Sequence, residues 1–305
     1  VNEIMRESLR ETVNHALCIE MKLPNIEKNL DKTSITTAQD ICMKNDEKSE
    51  LAKIIYNGIV EYAVNEYELN YDDLEKEQAK VLARRIRYNS NATDFTKLKY
   101  GFYGEVLLDL ILRCFLKTDV LLARGYLYSP IEKSEVKGFD AFHIMEWDDN
   151  VELWLGEAKF YVNYKKPVDD VLGKISYSLS DEYVHDNFLA LIDWQDRFSH
   201  SNSRLSGILD RWEENPNINI ASEIANENMV ITYPIMIAYQ PKNDGSYEEK
   251  VKECLEYIEK KIVNLPISIT TSFQYKIFFI FLPVDDVRSV KECVYRWIDS
   301  KEPLI

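Results

Sequence analysis

The chain has 305 residues, 46% of them hydrophobic, which is enough apolar material for one large core or two smaller ones. Its formal net charge of −15 excludes a protein that holds nucleic acid through overall charge, because phosphate binding depends on cationic surface. No apolar run reaches the length of about 18 residues that a membrane-spanning helix needs, and the charged opening stretch lacks the apolar segment of a signal peptide, so we expect a cytoplasmic protein without membrane contact.

Residues 1–95 are predicted to form a mainly helical N-terminal region. Apolar residues recur at helical spacing over residues 49–70 and 71–88. The polar, asparagine-rich stretch 89–94 then interrupts this pattern. We expect a second region to follow over residues 96–305. No linker between the two is long enough to demand separate domains, so we expect one compact unit.

The second region predicts an α/β fold. Residues 103–117 form a strongly apolar helix candidate. Strand candidates follow over residues 119–129, 138–147 and 151–161. The polar turn between the last two strands indicates an antiparallel hairpin.

Helix and strand candidates alternate in the rest of the chain. We expect Pro167 to lie in the first turn of one long helix, because proline is tolerated there. Two strand and helix pairs follow, with strands over residues 229–239 and 273–284. Near-continuous apolar strands separated by helices favour a mixed central sheet that helices cover on both faces.

An acid and a base interrupt the apolar, aromatic run of residues 153–161. Glu157 and Lys159 are two residues apart, so a strand projects both side chains to the same face. An unpaired charge in a buried strand is costly, which favours a functional role for the pair. Asp140 lies near the start of the preceding strand and Glu105 lies early in the preceding helix. A bent or twisted hairpin would bring Asp140 close to Glu157.

Carboxylates this close repel one another unless a cation lies between them. Hard oxygen ligands suit Mg²⁺ or Mn²⁺, so we predict that Glu105, Asp140 and Glu157 bind such an ion. The carbonyl oxygen of Ala158 is a further predicted ligand. The metal would polarise a scissile phosphate and lower the pKa of a bound water, while Lys159 orients that water or stabilises the developing charge. On the motif alone, the alternative is an ion pair on an edge strand.

These motifs resemble those of the PD-(D/E)xK nuclease superfamily, whose core runs helix, three strands, helix, strand. The matching segments are "YGE", "KGFDAFH" and "LWLGEAKFY", and the resemblance covers roughly residues 100–240. Phe139 replaces the proline of the motif, a departure that leaves the Asp140 carboxylate in place. A later helix of the superfamily often supplies Gln or Lys and Tyr near the site, and Lys174 and Tyr177 are the candidates here. The resemblance implies a Mg²⁺-dependent deoxyribonuclease.

The whole layout is similar to the small nuclease subunit of Hachiman antiphage defence systems. This resemblance implies a partner, a superfamily 2 helicase, which holds the nuclease inactive until phage-associated disturbance of DNA releases it. Broad DNA degradation would then abort the infection. An acidic nuclease fits this arrangement, because the helicase can supply the affinity for DNA.

Two other functions are kept as alternatives: a noncatalytic nuclease-fold adaptor that binds and regulates a helicase, and a stand-alone restriction-type enzyme. The second is disfavoured by the negative charge and by the lack of a sequence-reading module. The chain has no phosphate-binding G-x-x-x-x-G-K-[ST] loop and is therefore not itself an ATPase. Its five cysteines are scattered without metal-ligand spacing. We interpret His143 as structural and Asp109 as a partly solvated helix residue.

Overall fold

The computed structural model of the chain shows a mixed sheet with helices on both faces. It describes residues 5–19, 28–30, 33–43, 48–148, 150–198, 204–215, 217–242, 245–264 and 269–305. The helices are α1 Glu7–Ala16, α2 Lys48–Ala63, α3 Leu74–Arg84, α4 Asp94–Lys97, α5 Phe102–Phe115, α6 Lys165–Ser178, α7 Asp181–Ile192, α8 Arg204–Glu213, α9 Ile220–Asn226, α10 Tyr247–Asn264 and α11 Val287–Ser300. The strands are β1 Leu17–Ile19, β2 Lys28–Leu30, β3 Thr33–Met43, β4 Asp119–Val120, β5 Tyr128–Ser129, β6 Ser134–Glu135, β7 Ala141–Trp147, β8 Asn150–Tyr161, β9 Val230–Tyr239 and β10 Gln274–Pro283.

The central sheet combines parallel and antiparallel pairs. Its strand order is β1-β3-β10-β9-β8-β7-β4, and β2 also pairs with β3. The inner strands β3, β10, β9 and β8 run parallel to one another, whereas β7 pairs antiparallel with β8 and β4 antiparallel with β7. The predicted mixed sheet, with its antiparallel hairpin of β7 and β8, is therefore confirmed. Because β3 pairs with β10, the two ends of the sequence contribute to one sheet.

Side-chain alternation along the inner strands divides the core into two layers. On β9, Ile235 and Ile237 belong to the layer that contains α6 to α10, whereas Met236 and Ala238 belong to the layer that contains α2, α5 and α11. Both faces of the strand are thus buried, which explains why its sequence is almost entirely apolar. Among the residues that the structure describes, no helix is long and apolar enough to cross a membrane.

The strand predicted over residues 119–129 is wrong over most of its length. Only β4 and β5 lie there, and a 3₁₀ helix over Arg124–Leu127 separates them. Gly125 of this 3₁₀ helix packs directly on the backbone of Ala63, at the end of α2, and leaves no room for a Cβ atom. Close packing on α2 therefore replaces strand pairing in this segment.

The single long helix predicted after Pro167 is two helices. α6 ends at Ser178, and α7 begins three residues later. The hydroxyl of Ser180 accepts a hydrogen bond from the backbone N–H of Tyr183 at 3.2 Å. This N-cap satisfies a donor that a helix start leaves free, which explains the new beginning. Pro167 does lie in the first turn of α6, as predicted.

Replacement of Gly125 by alanine is expected to lower the free energy of unfolding by about 1–3 kcal/mol, because the added methyl group overpacks a contact between two backbones. Gly173 in α6 is the matched control, since a Cβ there meets no atom within 4 Å. Gly173→Ala is expected to stabilise the protein by roughly 0.5–1 kcal/mol, because alanine restricts the unfolded chain. Urea unfolding of both variants measures the difference. Equal stability of the two would contradict this account of the 3₁₀ segment.

Candidate active site

Asp140 is fixed where the pairing between β7 and β8 ends. The last pair of this ladder joins Ala141 to Gly156, and the backbone N–H of Asp140 donates to the carbonyl oxygen of Gly156 at 2.7 Å. Beyond this pair β8 has no partner strand on this edge within the described residues, and the Asp140 side chain accepts a hydrogen bond from its backbone instead. Its Oδ2 accepts a hydrogen bond from the backbone N–H of Ala158 at 2.9 Å. The carboxylate is thereby held against the segment of β8 that carries Glu157 and Lys159.

Glu157 and Lys159 contact each other, as expected from alternation along a strand. The Nζ of Lys159 donates hydrogen bonds to Oε1 of Glu157 and, at 3.4 Å, to the carbonyl oxygen of Ala158. Burial and the nearby Asp140 carboxylate raise the pKa of Glu157. Burial by itself lowers the pKa of Lys159, but the charges of Glu157 and Asp140 outweigh it and leave this pKa raised.

Glu105 reaches the same region from α5. Gly104 allows the helix to approach β8 closely, since a Cβ at this position would lie 3.2 Å from the Cβ of Phe160. The hydroxyl of Tyr62, on α2, donates a hydrogen bond to Oε2 of Glu105. Burial, followed by the charge of Asp140, raises the pKa of Glu105. The buried glutamate is thus held by α2 and lies within the electrostatic range of Asp140.

The charge of Asp140 acts on both glutamates and on the lysine of this region. Asp140 helps to raise the pKa of both Glu105 and Glu157, and it also helps to keep the pKa of Lys159 raised. Like charges at short range favour a proton or a cation among them. The available donors, carboxylate oxygens and the carbonyl oxygen of Ala158, are of the hard type that Mg²⁺ and Mn²⁺ prefer. The residues therefore fit such an ion in charge and donor type.

These donors do not form a ready-made metal cluster. Across the described ranges, no three carboxylate, imidazole or thiolate side chains lie close enough to one another to hold a metal ion. Asp140 affects the pKa of each glutamate, but neither glutamate is among the main influences on the pKa of the other. Asp140 is therefore the central acid of the group, and Lys159 supplies the cation next to Glu157.

The four predicted positions Glu105, Asp140, Ala158 and Lys159 line one cleft of about 680 Å³. Glu157 does not line the cleft, but its carboxylate contacts Lys159, which does. The other side chains that matter for its chemistry are basic or aromatic: Lys99, Tyr100, Phe160, Tyr161, Arg288 and Lys291. The cleft thus places acids beside a basic and aromatic wall.

Arg124 is a buried cation next to this site that the sequence analysis did not single out. Its Nη2 donates to the carbonyl oxygen of Val136 at 2.9 Å, whereas Nε and Nη1 have no hydrogen-bond partner in the described part of the chain. Burial lowers its pKa, but Tyr62 and Glu105 outweigh this effect and leave the pKa raised. The sequence does carry a signal for Arg124, because it is a charged residue within the apolar run 120–127. The same criterion identified Glu157.

Lys291 of α11 is a second residue that the sequence analysis missed. It lines the cleft, although its side chain is only 9% exposed. Its spacing from Val287 and Val294 places it on the apolar stripe of the helix. A lysine on a buried stripe was therefore the available signal.

The two weaker candidates, Lys174 and Tyr177, lie on α6 and do not line this cleft. Lys174 lowers the pKa of Glu157, against the larger effect of burial, so its charge acts on the site. Tyr177 is 60% exposed, and its ring centroid lies 4.8 Å from that of Tyr183. Both tyrosines line a second cleft of about 260 Å³.

The expectation that Asp109 is partly solvated is wrong. Asp109 is buried, and its carboxylate contacts Nε of Arg113 at 3.0 Å and Nε2 of His143 at 2.9 Å. Nδ1 of His143 lies 2.8 Å from the hydroxyl of Thr118. The interpretation of His143 as structural agrees with this network, which joins α5 to β7.

Fold and site together define a mixed α/β protein in which a central strand presents an acid–lysine pair beside an open cleft. Residues 13–298 match the model of the HamA family, and the chain belongs to this family. It is therefore a component of a Hachiman antiphage defence system. No curated protein and no solved structure gives a significant match to the chain.

Proposed function

We propose that this protein is a divalent-metal-dependent deoxyribonuclease with a PD-(D/E)xK core, acting as the effector subunit of its defence system. The observation that carries the proposal is the placement of Asp140, which directly precedes β7, with Lys159 of β8 and Glu105 of α5 on the wall of one cleft. An ion pair with a purely structural role does not need an opening to solvent. It also does not need two further acids within electrostatic range.

Each residue of the site has a specific proposed role. Glu105, Asp140 and Glu157, with the carbonyl oxygen of Ala158, would hold the ion, which when bound supplies a polarised phosphate and a water of lowered pKa. Lys159 donates hydrogen bonds towards Glu157 and Ala158 and can donate to the attacking water or to a non-bridging phosphate oxygen in the same way. Tyr62 fixes one oxygen of Glu105, which leaves the other for the ion.

A partner protein, the helicase of the system, is proposed to control the nuclease activity. A chain with a net charge of −15 is poorly suited to capture DNA alone, and steering of the strand would come from the helicase of the system. In the complex, the helicase would keep the cleft from DNA until phage-associated disturbance releases it. Activity of the isolated chain is therefore expected to exceed that of the resting complex.

The test is nicking of supercoiled plasmid by the purified full-length chain, with Mg²⁺ and with a chelator. The wild type is expected to nick only with Mg²⁺, and Asp140→Asn or Glu157→Gln to reduce the rate by about 10²–10³-fold, because each loses a charge that the transition state needs. Glu146→Gln is the matched control, since Glu146 is exposed at the other end of β7 and its Oε1 bonds to the backbone of Leu205. Undiminished nicking by both site variants would refute the assignment.

The noncatalytic adaptor is the second candidate, and one observation favours it: the described residues contain no preformed three-ligand group. An adaptor would bind and regulate the helicase through the same fold. Calorimetry with Mg²⁺ separates the two functions, because the nuclease is expected to bind the ion and lose that binding in Asp140→Asn. No Mg²⁺ binding, together with no nicking by the chain alone or in its complex, would establish the adaptor.

A further inference from the structure

Lys291 is a buried lysine that no acid compensates among the residues that the structure describes. The structure describes two buried lysines, and Lys97 pairs with Asp299 at 2.6 Å. Lys291 instead donates to the carbonyl oxygens of Phe160 at 2.9 Å and Leu98 at 3.3 Å. Among the described residues, no carboxylate forms an ion pair with it, and burial lowers its pKa to about 8. Burial of an ammonium without a counterion costs free energy. An anion that binds beside Lys291 would therefore form an ion pair that the described residues do not supply.

The surroundings of Lys291 indicate the type of anion. Phe160, whose carbonyl accepts its hydrogen bond, follows Lys159 directly in β8. The ring centroid of Tyr161 lies 6.0 Å from Nζ of Lys291, and Tyr161 is 47% exposed in the same cleft. Tyr161 also helps to raise the pKa of Lys159, against the opposing effect of burial, so it lies near both lysines. A cation beside a half-exposed aromatic ring matches a phosphate and its attached base.

We propose that Lys291 and Tyr161 form a nucleotide subsite next to the reacting phosphate, in which Lys291 binds a phosphodiester of an unpaired nucleic acid strand and Tyr161 stacks on the adjoining base. The subsite rests on the proposed nuclease function for its place in the reaction. A cleft of about 680 Å³ lies within the range of ~300–1,000 Å³ that accommodates small-molecule-sized groups, which suits individual nucleotide units. Arg288 lines the cleft as well, but it already pairs with Glu292 at 2.7 Å.

Binding of a labelled single-stranded oligonucleotide to the full-length chain, measured by fluorescence anisotropy with a chelator present, tests the subsite without any cleavage. Lys291→Met keeps the length of the side chain and is expected to weaken binding about 10–100-fold, the loss of one charged hydrogen bond. The slope of log K against log salt is expected to become shallower by about 0.7, which corresponds to one phosphate contact on a single strand. Arg296→Met is the control for lost charge, since Arg296 lies on the exposed side of α11.

The melting temperature distinguishes a role of Lys291 in binding nucleic acid from a role in holding the fold. Lys291→Met removes an uncompensated buried charge, so its melting temperature is expected to equal or exceed that of the wild type. Tyr161→Ala changes a half-exposed ring and is expected to weaken binding about 5–100-fold, the loss of one base stack. This variant decides the question if Lys291→Met does not fold.

Unchanged oligonucleotide affinity in either variant would overturn the subsite. A second arm uses inorganic phosphate as competitor, and a subsite that binds free phosphate but no oligonucleotide would also overturn the proposal. The result is independent of catalysis, because binding is measured with the metal removed. A wild type that binds strands through Lys291 and never nicks plasmid would leave the subsite in place and reject the nuclease.

Discussion

Replacement of Lys159 by methionine is expected to reduce Mg²⁺-dependent plasmid nicking by about 10²–10³-fold, the effect of removing one positioned donor to developing negative charge. Methionine preserves the unbranched stem that packs in β8 but removes the ammonium. Glu157 then loses its hydrogen-bond partner and keeps Asp140 as a like-charged neighbour. The variant therefore has a more negative site with no donor for the reacting phosphate.

Loss of the Lys159 ammonium is also expected to change how strongly Mg²⁺ stabilises the protein. Without the ammonium, Glu157 loses the cation that contacts it, so Mg²⁺ is expected to raise the melting temperature of Lys159→Met more than that of the wild type. Lys174→Met is the matched control. Lys174 is exposed on α6 and affects Glu157 only through its charge, so its removal is expected to change nicking much less. Equal nicking by wild type and Lys159→Met would remove Lys159 from the mechanism.

Asp109→Asn is expected to lower the free energy of unfolding by about 1.5–3 kcal/mol, the contribution of a buried hydrogen bond to a charged group, since Arg113 keeps its ion pair with Glu66. The asparagine keeps the shape of the side chain but loses the charge, and its amide has one acceptor oxygen for Arg113 and His143 where the carboxylate has two. Asp285→Asn is the control, because Asp285 is exposed and pairs with Lys250 at 3.6 Å on the surface, where such pairs are worth about 0–1 kcal/mol. Urea unfolding at neutral pH gives both values. Equal costs for the two variants would contradict the network.

The difference between wild type and Asp109→Asn is also expected to depend on pH. Burial raises the pKa of Asp109, but Arg113 and His143 outweigh burial and leave the pKa lowered from 3.8. The unfolded chain therefore binds this proton more tightly than the folded chain. The stabilisation is complete above about pH 4 and is lost as the pH falls through the lowered folded-state pKa. Unfolding at a series of acid pH values measures this loss.

The sequence was informative wherever one strand or one helix carried the pattern. The shared face of Glu157 and Lys159 follows from alternation alone, and the structure has the two side chains in contact. The hairpin of β7 and β8 followed from its polar turn. The sheet with helices on both faces followed from apolar strands that alternate with helices.

The sequence was uninformative where contacts join distant segments. Tyr62 and Glu105 are 43 residues apart, and only the packing of α2 on α5 brings the hydroxyl to the carboxylate. The segment 119–129 has the composition of a strand but packs on α2 through Gly125. Asp109 contacts His143, which lies 34 residues further along the chain on β7, and both residues are buried. No local pattern records such long-range partners.

The position of β8 within the sheet determines how this centre can be regulated. β8 is bordered by β9 through Tyr161 and by β7 up to Gly156, and beyond Gly156 the Asp140 side chain takes over the hydrogen bond from Ala158. Distorting this strand would break hydrogen bonds on both of its edges at once. Covering the mouth of the cleft or shifting α11 would therefore cost a regulatory protein less free energy than distorting β8.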